Sequence, residues 1–153
     1  MKESLYEAKQ EIKRADHLIF VSLKYTRTVD MFRSILERII NALDFTLDAL
    51  LKYAKQKKKI KELPTSPGMK SDVVKEVYVE DRRITDMVEL FLFLRRLLRA
   101  EYTKSQEYRR HVTMTVTMPE GEVEINIDII HEYFEKLKEM VSYVETVTVG
   151  KNE

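Results

Sequence analysis

The chain contains no cysteine and no tryptophan, and it has only three glycines and three prolines among its 153 residues. Without cysteine it can form no disulfide, no thiolate metal site and no cysteine nucleophile. The scarcity of glycine and proline predicts long elements and few tight turns, and it excludes a glycine-rich loop that cradles phosphate. Long apolar runs are also missing, since LFLFL at 90–94 is far too short to span a bilayer.

An excess of charge of one sign is absent as well. The chain has 27 basic and 26 acidic residues, so any field that attracts nucleic acid must be local. The charged share of 35% is well above the usual quarter, and the length is that of one domain, 1–153. Such a composition is typical of heat-adapted intracellular proteins. Because the charged N-terminal segment has no signal-peptide core, we expect a cytoplasmic protein that makes no membrane contact.

Apolar residues spaced three and four apart predict four long helices, at about 3–23, 29–60, 84–102 and 129–146. The third is apolar on two faces, so we expect it at the centre of the fold, covered on both. Thr26 or Thr28 is a suitable N-cap for the second helix, and Asp128 for the fourth. A shorter segment at 72–81 is compatible with either a helix or a strand.

Strict alternation of apolar and polar residues predicts a β-hairpin at about 111–127, around the turn Pro119-Glu120-Gly121. TVTVG at 146–150 also has strand character and could extend this hairpin. The predicted fold is mainly α: an up-down four-helix bundle with an inserted β-hairpin between the third and fourth long helices. The open edges of the hairpin favour a homodimer in which the hairpin is a contact.

Three arginines in the third helix give its only functional hint: Arg95, Arg96 and Arg99. None has a carboxylate three or four residues away, so their charge must be met from outside the helix. One interpretation pairs them with an acidic stripe on the second helix. That stripe consists of Glu37, Asp44 and Asp48.

The other interpretation makes the same arginines an anion or phosphate-backbone site, assisted by Arg109, Arg110 and the lysines at 55–59. Tyr102 and Tyr108 lie close by in the sequence, where they could stack on exposed bases. The five arginines at 95, 96, 99, 109 and 110 are therefore the candidate nucleic-acid-binding residues.

The histidines give no metal or catalytic signature. His17, His111 and His131 are scattered along the chain, and Asp128-Ile-Ile-His131 is a single match to a pattern that dimetal bundles need twice. No serine or threonine lies on a sharp glycine-flanked turn. We therefore predict no catalytic residue, metal or cofactor, and we expect a protein that is not an enzyme, although an unrecognised active site stays open.

Four amphipathic helices of this size, with a long second helix, resemble the HEPN family of small helical bundles. The resemblance implies a helical bundle from prokaryotic toxin–antitoxin or defence systems, whose active members are dimeric ribonucleases. Their signature is Arg, four to six residues, then His. It is absent here, because only two residues separate Arg14 from His17, and His111 follows Arg110 directly. No catalytic residue carries over.

Two functional hypotheses follow. The first is a non-enzymatic helical module that binds a partner protein or a second copy of itself. The second is a HEPN-like protein that binds or processes RNA with an arginine-rich face. Arginines paired with Asp44 and Asp48 would favour the first hypothesis, and arginines exposed beside the lysine block would favour the second.

Overall fold

The structure, a computed structural model, describes residues 1–152. It is mainly helical and has one small antiparallel sheet. The elements in order are α1 (Lys2–His17), a π-helical turn (Leu18–Ser22), α2 (Leu23–Tyr25), α3 (Val29–Gln56), α4 (Pro67–Val77), α5 (Arg82–Arg99), β1 (Tyr102–Ser105), β2 (Thr113–Met118), β3 (Gly121–Ile125), α6 (Ile127–Val147) and α7 (Val149–Asn152).

The central helix is α3 and not α5. Helices α1, α4, α5 and α6 and strand β2 all pack on α3. The fully buried side chains of α3 include Phe32, Ile35 and Leu43. On the second apolar face of α5, by contrast, Leu90 and Phe93 are only half-buried against the core. The third long helix is therefore only partly covered on that face, and the prediction that it lies at the centre of the fold is wrong, because apolar content alone does not say which helix has neighbours all round.

The start of α3 agrees with the sequence, because Thr28 accepts a hydrogen bond from the Met31 amide at 3.2 Å. Its end does not, since the helix stops at Gln56 and the lysine block follows as a turn. Lys59 N–H donates to the Ala54 carbonyl, and Lys58 N–H donates to the Lys55 carbonyl. This is a Schellman-type end, in which Lys58 adopts the left-handed conformation, φ 62°, that usually falls to glycine.

The predicted first helix, 3–23, matches α1 and its continuation, but it contains a π-helical turn at Leu18–Ser22. A π turn carries one more residue than an α turn, so the side chains that follow are rotated about the axis. Phe20 lies in this turn and packs edge-on against His131, with 5.3 Å between ring centroids, and against Phe134.

The open question about 72–81 is answered by α4, a helix that begins at Pro67, five residues before the predicted segment. The Ser66 hydroxyl accepts from the Met69 amide, and Pro67 occupies the first helical position, where its missing N–H has no consequence. Helix α5 is a separate helix, because Asp81 caps it by accepting from the Ile84 amide at 3.2 Å.

The hairpin is confirmed as β2 and β3, with Val116 opposite Val123. The sequence analysis missed β1, whose Tyr102 pairs with Val116 on the other side of β2. The apolar side chains of β2 are buried, and its threonines face outward. The apolar residues are Met114, Val116 and Met118, and the threonines are Thr113, Thr115 and Thr117.

Two predictions near α6 are wrong. Asn126, and not Asp128, caps the helix by accepting from the Ile129 amide at 2.9 Å, because α6 starts at Ile127. TVTVG at 146–150 is not a strand, since it spans the end of α6 and the start of α7. Within residues 1–152, no helix combines the length and apolarity needed to cross a membrane.

Candidate functional site

The predicted arginines of α5 lie at its C-terminal end, on and beside its exposed face. Arg96 pairs with the Glu120 carboxylate in the β2–β3 turn, with Nη2 to Oε1 at 3.2 Å and Nη1 to Oε2 at 3.4 Å. This guanidinium lowers the pKa of Glu120. Arg95 is half-buried, with its guanidinium 5.6 Å from the Phe91 ring centre, and Arg99 is exposed. Within residues 1–152, neither Arg95 nor Arg99 forms an ion pair.

The predicted pairing of these arginines with the acidic stripe of α3 is wrong. Asp48 and Asp44 instead bind Lys70 of α4, at 2.8 and 3.3 Å from its Nζ. The reason is the early start of α4, which carries Lys70 across α3 in a helical position that the sequence analysis assigned to a loop. Glu37, the third member of the stripe, is exposed.

The predicted addition of the lysine block to the arginines is also wrong. Arg33 donates from Nη2 to the Leu98 carbonyl at 2.8 Å, so the C-terminal end of α5 lies beside the start of α3. The lysine block at 55–59 lies at the other end of α3. The rise of 1.5 Å per residue puts roughly 33 Å between Arg33 and Lys55. The lysine block and the arginines of α5 therefore do not form one binding site.

Arg109 and Arg110 belong to the β1–β2 loop, which is attached to the start of α3. The Glu107 carboxylate accepts from the Val29 amide at 2.9 Å, and the Tyr108 amide donates to the Arg27 carbonyl at 2.7 Å. The length of β1, roughly 13 Å at 3.3 Å per residue, lies between this loop and the end of α5. The five predicted arginines therefore form two groups and not one.

The second group includes residues that the sequence analysis did not select. Tyr25 is 83% exposed and Tyr108 is 74% exposed, which is unusual for large aromatic side chains. The Tyr108–Arg27 hydrogen bond brings the α2–α3 connector and the β1–β2 loop together. We call the resulting set the tyrosine–arginine surface: Tyr25, Arg27, Tyr108, Arg109 and Arg110. The repeated Tyr-x-Arg, at Tyr25 and again at Tyr108, is the sequence signal that could have identified it.

The backbone of this loop is held in an uncommon conformation. Gln106 and Tyr108 both have positive φ, 54° and 66°. Non-glycine residues in this region are strained by about 1–3 kcal/mol each, and such residues concentrate at functional sites. Tyr108 thus combines an uncommon backbone conformation with a side chain that is exposed to solvent.

Two carboxylates near this surface already have partners within the chain. Asp30 pairs with Lys104 at 3.2 Å, and Glu107 accepts the Val29 amide. Tyr102 is not available for stacking, because it is half-buried with the Arg33 guanidinium 4.4 Å from its ring centre. Arg110 and His111 line a hollow of about 250 Å³ together with Asn126 and Asp128.

The three histidines lie in different elements. His17 ends α1, His111 lies in the β1–β2 loop, and His131 contacts Phe20. Among residues 1–152, no three side chains of the metal-ligating types lie close enough together to hold an ion.

The chain has no match among protein-family models, curated proteins or solved structures. The resemblance to the HEPN family therefore stays a prediction.

Proposed function

We propose that the protein binds single-stranded RNA at the tyrosine–arginine surface. The observation that carries this proposal is the hydrogen bond from the Tyr108 amide to the Arg27 carbonyl, because it joins two segments that each present an exposed tyrosine and a cation. Exposed tyrosines provide stacking platforms, and one base stacked on an aromatic ring is worth about 1–3 kcal/mol. Arg27, Arg109 and Arg110 supply positive charge for the phosphates.

The proposal specifies single strands. In a double helix the bases are stacked on one another and do not reach a tyrosine on a flat protein surface. Three arginines and the neighbouring Lys24 could neutralise up to four phosphates. The logarithm of the binding constant should then fall with the logarithm of the salt concentration with a slope of about −2 to −3.

The scaffold that we propose for this surface is an up-down bundle of α1, α3, α5 and α6. The packing of the other three on α3 supports it. The surface lies at the end of this bundle where α3 begins.

The test is a binding titration of a fluorescent ten-nucleotide RNA, single-stranded or annealed to its complement, across a salt series. We expect the single strand to bind more tightly than the duplex. The double variant Tyr25→Ala/Tyr108→Ala should lower the affinity for the single strand by about 10-fold or more. Tyr6→Ala is the matched control, since Tyr6 is 60% exposed on α1. Arg109→Ala with Arg110→Ala should reduce both the affinity and the salt slope.

Arg96→Ala with Arg99→Ala tests which group of arginines binds. Because these residues lie beyond the far end of β1, we expect the affinity to change by less than about 3-fold. The proposal would be refuted by the absence of binding at low salt, by equal losses for the Tyr6 control, or by an affinity that depends on Arg96 and Arg99 alone.

The first functional hypothesis, a non-enzymatic module that binds a partner protein or a second copy, is compatible with this proposal. It concerns another surface of the molecule. The observation that favours it is the outer face of α5, where half-buried apolar side chains lie between exposed charges.

A further inference from the structure

The outer face of α5 carries charges in an ordered sequence. Reading toward the C-terminus, two exposed acids come first, then two half-buried apolar residues, then two exposed arginines. They are Asp86, Glu89, Leu92, Phe93, Arg96 and Arg99, which we call the α5 stripe. The first three and the last three are each spaced three residues apart, so the six span an arc of roughly 140° on the exposed side of the helix. A shallow concavity of about 480 Å³ on this side is lined only by residues of α5.

The ion pairs that these charged residues form within the chain are weak. Asp86 lies 3.9 Å from Arg82, and both are largely exposed. Glu89 contacts Lys75, and Arg96 contacts Glu120, again between exposed side chains. Exposed ion pairs of this kind are worth about 0–1 kcal/mol, so they can be exchanged for other partners.

We infer that the α5 stripe is a homodimer interface, in which the α5 helices of two copies pack antiparallel about a two-fold axis between Leu92 and Phe93. This inference rests on the first functional hypothesis and names its partner as a second copy of the chain. Glu89 and Arg96 lie equally far from that midpoint and close to the line that faces the other helix, so the two-fold operation places Glu89 of each copy opposite Arg96 of the other. Asp86 and Arg99 are also equally far from the midpoint, but at about 100° per residue they lie on opposite flanks of the interface and do not pair with each other.

The arrangement is specific in direction. A parallel pair of α5 helices would place arginine against arginine and acid against acid, which is destabilising. The two Glu89–Arg96 pairs lie roughly 5 Å from the axis at 1.5 Å per residue, so they stay close to the point where the helices cross. Leu92 and Phe93 supply the apolar centre, and Glu120 borders the interface through Arg96.

This inference changes the predicted dimer contact. The sequence analysis placed it on the hairpin because of its open edges, but β1 covers one of those edges. The α5 stripe has both apolar area and self-complementary charge, which the remaining edge strand β3 lacks, since its outward residues are Glu122 and Glu124.

The test is charge exchange, with the full chain studied by sedimentation velocity over a concentration series. We expect the wild-type protein to be a dimer, and Glu89→Arg or Arg96→Glu alone to weaken the dimer by about 10- to 100-fold, because each places like charges opposite each other twice. An equimolar mixture of the two variants should form a heterodimer of near wild-type affinity. The double variant should restore the homodimer.

Lys13→Glu and Asp16→Arg are the matched controls. Both residues are exposed on α1, which packs on α3 and α6, and both reversals should leave the dimer intact. Circular dichroism checks that every variant keeps its helical content. A monomeric wild-type protein at about 100 μM would overturn the inference. So would single variants that remain dimeric, controls that dissociate equally, or a mixture that fails to associate.

The RNA titration separates the two proposals. If the protein is not a dimer but still binds RNA through its tyrosines, only the proposal about the α5 stripe is refuted. If the dimer depends on the charges of the α5 stripe but the protein does not bind RNA, only the proposal about the tyrosine–arginine surface is refuted.

Discussion

Replacing Lys70 by methionine tests the connection between α4 and the acidic stripe of α3. The Lys70 side chain is 11% exposed, and its ammonium contacts Asp48 at 2.8 Å and Asp44 at 3.3 Å. Breaking a fully buried ion pair costs about 3–5 kcal/mol, whereas an exposed pair contributes about 0–1 kcal/mol. Since both carboxylates keep partial access to water, we expect Lys70→Met to lower the free energy of unfolding by about 2 kcal/mol.

The assay is urea unfolding followed by circular dichroism, with Lys75→Met as the control. Lys75 lies on the same helix and pairs with the exposed Glu89, so its replacement should cost less than about 0.5 kcal/mol. Equal costs for the two variants would refute the reasoning, because the ion pair of Lys70 would then be worth no more than a surface pair.

The pH dependence gives a second readout. Burial works to lower the pKa of Lys70, but the hydrogen bond to Asp48 and the charges of both aspartates outweigh it, and the pKa is raised. The folded state therefore holds this proton more tightly than the unfolded chain does. The stabilisation is complete below the unfolded pKa of about 10.4 and is lost as the pH rises through the folded value. The difference between the wild-type protein and Lys70→Met should be constant from neutral pH to about 10 and should shrink above it.

Two further predictions concern α3. Lys58→Gly should raise the free energy of unfolding by about 0.5–1 kcal/mol, because glycine adopts the left-handed conformation of Lys58 without strain, and thermal unfolding should show no gain for Lys58→Ala. Tyr78→Phe removes the hydrogen bond from the hydroxyl to the Leu50 carbonyl at 2.7 Å and should cost about 1 kcal/mol in urea unfolding. Burial raises the pKa of Tyr78, so the wild-type protein should lose stability above pH 10 as the unfolded chain ionises, and the variant should lose less. Identical alkaline profiles would contradict that assignment.

Whether a segment forms a helix or a strand was predictable, because it depends on the local pattern of apolar residues. The three- and four-residue spacing in α1, α3, α5 and α6, and the alternation in β2 and β3, are present in each segment itself. The strand β1 was not predictable in this way. Its sequence, Tyr-Thr-Lys-Ser, has no apolar alternation, and its extended form is set by pairing with β2, which follows after a seven-residue loop.

The positions of helices relative to one another were harder to predict, and the candidate site depends on them. Asp44 and Asp48 were assigned the wrong partners because the start of α4 was placed too late. Ser66-Pro67 is a good N-terminal signal for a helix, but the nearby glycine and Pro64 obscured it. The grouping of Arg109 with Arg27 depends on a single backbone hydrogen bond between residues far apart in sequence. Residue types alone could suggest binding, but not which cations share a surface.

The π-helical turn at Leu18–Ser22 fixes the angular phase of everything that follows it in the first helical segment. Because this turn holds one residue more than an α turn, winding the same residues as an ordinary α-helix would rotate Tyr25 by roughly 100° relative to α1. Phe20 would leave His131 at the same time. The π turn thus absorbs one residue of the sequence and decides which side of the molecule presents the connector to α3, while α1 keeps its own packing.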